Sequence, residues 1–175
     1  PEDRLGMGLV ASMGMTDNML LKTYRDSKGM LVHRKPAKEQ ALSLIRRLGI
    51  ITPDTETPVR KLSGGNVQKV LLGREIESQP NVLITAYPVR GLDINSSYTI
   101  YHLLNEQKAQ GVAVLFIGED LDVLLELCDR IMVLFDGKVQ SILPAEEATK
   151  EMLGLLMTGQ KIDGLGGDQH AHENP

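Results

Sequence analysis

The sequence holds one cysteine, no tryptophan and only 3% aromatic residues. A single thiol, Cys128, excludes an internal disulfide framework and a paired-cysteine zinc site, and it suits a reducing compartment. With so few rings, a core has to be built from Leu, Ile and Val together with the 8 methionines. No apolar run approaches the ~20 residues that cross a bilayer, and no basic segment leads into an apolar stretch as in a secretory leader. Positive charge is in deficit as well, 19 Lys and Arg against 23 Asp and Glu, which is the wrong balance for a nucleic-acid surface. The chain opens on Pro1-Glu2-Asp3-Arg4 without an initiator methionine, and we expect a piece of a longer protein. What is present is 175 residues, 42% hydrophobic and 24% charged. That suffices for one globular unit, or a lobe with a subdomain, and the expectation is an intracellular α/β domain.

Punctuation along the chain divides it in two. Residues 1–12 read as a glycine-punctuated loop. Thr16 or Asp17 is placed to cap a short helix through Leu21, and a polar, basic loop follows from Tyr24 to Lys35. Pro36 suits the first turn of a helix to Leu48, with Ala41, Leu42, Leu44, Ile45 and Leu48 as its apolar stripe and Gly49 at its end. Residues 50–61, with two prolines, read as loop. From Leu62 an α/β rhythm begins. Ser63 caps a helix that stops before Pro80. Val82 to Ala86 reads as a short strand buried on both faces. A turn over Pro88 to Asp93 leads into a helix closed by Gly111, and Val112 to Ile117 is the next strand. A helix over Leu121 to Leu127 precedes a strand to Phe135, a hairpin at Asp136-Gly137 and a strand to Ile142. Pro144 is expected to open a last helix to Met157. This alternation implies a mainly parallel sheet with helices on its faces.

The segment richest in chemistry is Leu62-Ser63-Gly64-Gly65-Asn66-Val67-Gln68-Lys69. A loop enters a helix N-terminus there, two glycines let backbone N–H groups approach a ligand, and the Ser63 hydroxyl adds a donor. The helix dipole favours negative charge at the same place, so the segment suits a phosphate.

The surrounding residues carry a resemblance. LSGGN followed by Gln68 and Lys69 resembles the signature motif of ATP-binding cassette (ABC) transporter ATPases. Leu83-Ile84-Thr85-Ala86-Tyr87-Pro88-Val89-Arg90-Gly91-Leu92-Asp93 resembles the Walker B strand and D-loop of that family. Gly118-Glu119-Asp120-Leu121 stands at its switch segment, and PEDR followed by GLV resembles the Q-loop region of its simple-sugar and nucleoside importers. The resemblance implies a partial P-loop NTPase-type α/β fold over residues 1–159. A helical subdomain would take about 14–79, an α/β lobe about 80–159 and a flexible tail 160–175.

Departures from the family pattern bear on mechanism. Where the family has the Walker B Asp and Glu this chain has Ala86 and Tyr87, and the switch His is Glu119. Alanine has no ligand atom, a phenol with pKa near 10 is a poor base, and an anion beside a phosphate has the wrong sign. Glu2 stands where most of the family has Gln. The sequence holds no GxxxxGK(S/T) phosphate loop, and we expect the missing part to lie upstream.

The resemblance further implies a head-to-tail pair of cassettes in which Ser63, Gly64, Gly65, Asn66 and Gln68 reach the partner cassette's ATP. Asp93 of the D-loop would lie at the seam, and the chain's own catalytic positions would be degenerate. ATP and Mg²⁺ are the cofactors implied for the full assembly, neither held tightly by this chain. The implied partners are a second cassette, transmembrane permease subunits and, indirectly, a solute-binding protein, at the cytoplasmic face of the membrane. No nucleic-acid partner and no metal site built by the chain itself are expected. Two other roles are a non-catalytic regulatory or scaffolding cassette and a soluble ABC-type ATPase outside transport.

Other residues read as structural. Cys128 belongs to an apolar helix and a core, and His33 and His102 to surface positions. Lys35, Lys38, Arg46 and Arg47 form a solvated helix face, and His170 and His172 lie in a loose tail. The methionines at 7, 13, 15, 19 and 30 cluster in the first lobe, as core or as an adaptable apolar surface.

Overall fold

The computed structural model describes residues 1–24 and 32–160. The chain divides into two compact units, Pro1–Ile117 and Gly118–Pro175. Met30, most of the expected basic loop, and the tail with His170 and His172 lie outside the described residues.

The first unit opens with a π-helical turn, Arg4–Gly8, where a plain loop was expected; the Asp3 carboxylate accepts from the N–H groups of Leu5 and Gly6. Helix α1 is Met15–Thr23 and α2 is Arg34–Leu48. Neither Thr16 nor Asp17 caps α1. The helix starts at Met15, the Thr16 N–H finds the Thr55 carbonyl at 3.1 Å, and the Thr16 hydroxyl donates to Glu56 at 2.7 Å. A partner distant in sequence has displaced the local cap. On α2 the buried residues are Ala37, Ala41, Leu44 and Leu48, spaced as one helical stripe. Leu42, expected in that stripe, is exposed.

Helix α3, Gly64–Glu77, is capped by Ser63 and stops before Pro80 as expected. It is buried on most of its surface because α1, α2, the N-terminal turn and helix α4, Ile94–Ala109, all pack against it. Strands β1, Val82–Ala86, and β2, Ala113–Ile117, pair in parallel with Val82 opposite Ala113 and Ala86 opposite Ile117. The β1 run is apolar throughout, yet only one face is buried. Leu83 and Thr85 turn into the core, whereas Val82 and Ile84 are 57% and 62% exposed and Leu115 and Ile117 share their face. A single core joins Met15, Met19, Leu44, Val59, Val70, Ile100 and Leu104. Two of the first lobe's methionines are therefore core, while Met7 is exposed.

The second unit begins at helix α5, Leu121–Leu127, capped by Asp120. Strands β3, Arg130–Phe135, and β4, Lys138–Pro144, form an antiparallel hairpin. Asp136 and Gly137 have φ of 48° and 70°, the pair of left-handed residues that a tight turn matched to strand twist requires. Past Pro144 the expected continuous helix does not form. A single 3-10 turn, Ala145–Glu147, is followed by helix α6, Lys150–Met157, with Thr149 as its cap. Thr149 offers its own hydroxyl to the Met152 N–H at 3.2 Å, so the helix restarts there. Ile131, Val133, Leu143, Leu153 and Leu156 make this unit's core. Cys128 terminates α5 instead of lying within it and packs, half-buried, on that core. Among the described residues no helix is long and apolar enough to cross a membrane.

Candidate functional site

The signature turn is held by its own side chains. The Ser63 Oγ accepts from the Asn66 backbone N–H at 3.4 Å and from the Asn66 Nδ2 at 3.0 Å. Asn66 is itself fixed, its Oδ1 accepting from the Ile51 N–H at 3.1 Å. A serine hydroxyl has two acceptor positions and one proton. With both acceptor positions turned toward Asn66, the proton is what Ser63 has to offer outward. Ser63 and Gly64 are exposed at the start of the 14-residue α3, whose first N–H groups and dipole favour an anion.

Gly65 is buried and backs onto the start of α4. A Cβ there would collide with the Ser96 hydroxyl and lie 3.0 Å from the Ser96 Cβ. Ser96 is in turn held by Asp93, whose carboxylate accepts from the Ser96 N–H at 2.9 Å and from its Oγ at 2.6 Å. Those two bonds, the hydroxyl's first, hold the Asp93 carboxyl below the usual carboxylate range. The structure thus brings Ser63–Asn66 and Asp93 together, with Ser96 as the contact between them. Sequence reasoning missed Ser96, although its place three residues after a capping Asp is the signal for it.

Gln68 is deeper than the resemblance implies. It is 5% exposed, and its carboxamide oxygen accepts from Arg4 Nε at 2.8 Å. Arg4 also donates through Nη2 to the Arg90 carbonyl, and burial pulls its guanidinium pKa down.

At the end of β1, Ala86 presents a methyl group, and Tyr87 turns the chain with a φ of 48° while its N–H is held by the Ile117 carbonyl at 2.8 Å. The Arg90 guanidinium lies over the Tyr87 ring, 5.7 Å from its centroid, and pairs with the Glu2 carboxylate at 2.6 Å. The Glu2 carboxylate therefore faces a cation of the same chain. Arg4 and Arg90 both stand inside quoted motifs, yet nothing local in the sequence announces their pairing, because each partner is more than 60 residues away. Glu119 belongs to the second unit, exposed one residue before the α5 cap.

Mg²⁺ demands a near-octahedral set of oxygens. Here Ala86 ends β1 with a methyl, Tyr87 follows with a phenol, and the Glu2 carboxylate is paired with Arg90. Among the described residues no group of three or more His, Cys, Asp or Glu is placed to hold a metal ion. The residues present do not fit Mg²⁺.

No family model matches the chain. The guanosine import ATP-binding protein NupO of Bacillus subtilis is 40% identical over 163 residues, covering 91% of this chain and 32% of that protein. The xylose import ATP-binding protein XylG of Moorella thermoacetica is 37% identical over 161 residues, 92% of this chain and 32% of its own length. The nucleoside import ATP-binding protein NupA of Lactococcus lactis is 37% identical over 167 residues, covering 93% and 33%. The chain thus spans about a third of the length of the curated relatives it matches. Among solved structures, the dimeric bacterial ABC transporter cassette MJ0796 superposes with a TM-score of 0.66 at 22% identity, over 78% of this chain and 59% of that one. The cbiO1 protein of Clostridium perfringens, part of the cbiONQ ABC transporter complex, gives 0.65 at 21% identity, over 90% and 61%.

Proposed function

We infer the function from one premise: the chain has the α/β fold of an ABC cassette, and its sequence relatives are the ATP-binding proteins of sugar and nucleoside importers. On this reading it serves within an ATP-binding importer subunit and lends its signature turn to the nucleotide of a partner cassette. Ser63 donates its hydroxyl proton to a phosphate oxygen, and the exposed amides at the start of α3 take up the remaining charge. Gly65 lets the turn lie flat on Ser96, which fixes it against Asp93 at the cassette seam. Permease subunits in the membrane would do the transport and a solute-binding protein would select the solute, with this chain on the cytoplasmic face. Sugars and nucleosides are the solute classes named for the relatives.

The observation that carries this reading is an asymmetry within the first unit. The signature turn is capped, glycine-backed and exposed, while the end of β1 carries no carboxylate and Glu2 is paired with Arg90. The chain's own site is accordingly proposed to bind nucleotide weakly and without turnover, and the working site is the partner's.

In the assembled importer, Ser63→Arg should lower ATPase activity at least tenfold, since a bulky cation replaces a hydroxyl donor at the phosphate. Turnover unchanged by Ser63→Arg would favour the scaffolding role, to which the degenerate Ala86 and Tyr87 also lend themselves.

A further inference from the structure

We propose that Arg4 is a positioning residue that locks the signature turn to the turn after β1, so that the two move as one body with the segment carrying Glu2. This deepens the functional reading above and rests on it for the consequence at the nucleotide, although the lock itself stands on geometry alone.

The arginine side chain offers five N–H donors in a rigid planar fork, so one residue can hold two acceptors at a fixed angle. Arg4 uses that fork on two neutral acceptors from different elements. One is the buried Gln68 carboxamide, five residues past Ser63 on α3. The other is the carbonyl of Arg90, three residues before Asp93. Helix α4, which follows that turn directly, already touches α3 where Gly65 meets Ser96. Arg4 supplies a second point of attachment, and two points fix an orientation where one leaves a pivot.

The N-terminal segment grips Arg90 twice. Glu2 takes its guanidinium at 2.6 Å, and Arg4 takes its carbonyl. A displacement at position 2 is therefore passed to the signature helix through Arg4 and to the Asp93 turn through Arg90.

A simpler account would make Arg4 a fastener for the chain's first residues. That task is already covered. Asp3 closes the π-helical turn, Arg74 donates to the Gly8 carbonyl at 2.7 Å, and Gly8 lies directly on Leu71 of α3. With those contacts in place, loss of Arg4 leaves the segment docked and releases only the orientation of the two turns.

Amide hydrogen exchange on the chain, read residue by residue, tests this. The probes are the Asn66 and Val67 amides, bonded to Ser63, and the Arg90 and Leu92 amides, bonded within the turn after β1. In Arg4→Gln both pairs should exchange about tenfold faster while the α2 amides hold their protection. Arg4→Lys, a single-point donor, should restore one pair and not both. Gln68→Met, which removes one acceptor, should loosen Leu92 across the lock.

Unchanged probes in Arg4→Gln, a change confined to one turn, or loss of protection in α2 as well would each overturn the proposal. In the assembled importer, Arg4→Gln should lower kcat about tenfold with the KM for ATP unchanged. Exchange behaving as expected beside an unaltered kcat would leave the lock standing and overturn the assignment of the signature to a nucleotide.

Discussion

At the scale of single residues, the two signature glycines are not equivalent. A Cβ at Gly64 would meet Arg4 and Leu92 atoms no nearer than 3.7 Å, ordinary contact. At Gly65 it would run into Ser96. Gly65→Ala should therefore destabilise the chain by about 1–3 kcal/mol, the usual cost of overpacking, while Gly64→Ala should be neutral or slightly stabilising because alanine is the better helix former. Thermal melting of the two variants checks the difference. Ser96→Ala placed behind Gly65→Ala should recover part of the loss, and no recovery would mean that Ser96 is not the obstacle.

Glu75 is informative at the same scale. Burial raises its pKa, but hydrogen bonds and charge from Lys22 and Arg74 outweigh burial and hold the carboxyl below its ordinary range. A carboxyl lowered in the folded state stabilises above its unfolded pKa of about 4.3 and loses that contribution as pH falls through the folded value. The melting temperature should accordingly drop more steeply below about pH 4.3 in the parent chain than in Glu75→Gln. Parallel acid profiles would contradict the depressed pKa.

At the scale of elements, the sequence is most legible where the signal is local. Ser63 before the glycines, Asp93 before Ile94, Asp120 before Leu121 and the Asp136-Gly137 turn all act where their side chains stand, and each structural boundary follows them. Reading fails where a distant group intervenes. Thr16 looks like a cap and is taken by Glu56, and Pro144 looks like a helix start and is superseded by Thr149. The β1 run misleads for another reason. An apolar run implies two buried faces, but only the face toward the first core is covered among the described residues. Caps also give a measurable prediction. Asp93→Ala removes both bonds to Ser96 and should lower the melting temperature through the start of α4. Asp93→Asn keeps an acceptor for the Ser96 N–H and should lower it less. Equal losses in the two variants would show that the charge and not the cap matters.

At the scale of the whole molecule, the motifs were legible as words, but the meaning of two of them depended on tertiary pairing. Ala86 and Tyr87 announce the loss of carboxylate chemistry directly, whereas the engagement of Glu2 by Arg90 and the burial of Gln68 under Arg4 join residues far apart in the chain. That pairing sharpens the last prediction. ATP hydrolysis by an ABC cassette needs a metal-ordering carboxylate, a carboxylate that polarises water and a phosphate loop. The 175 residues carry no GxxxxGK(S/T) loop, β1 ends in Ala86 with Tyr87 after it, and Glu2 faces a guanidinium. The chain by itself should release no magnesium-dependent phosphate from ATP above background. Ala86→Asp combined with Tyr87→Glu restores both carboxylates but leaves the γ-phosphate without its loop, so the doubly substituted chain should be equally silent. Phosphate release from the parent chain would show that a group other than a β1 carboxylate performs the reaction. Release from the double variant alone would show that the two carboxylates suffice without the loop, and the chain's own site would then be one disabled by two side chains.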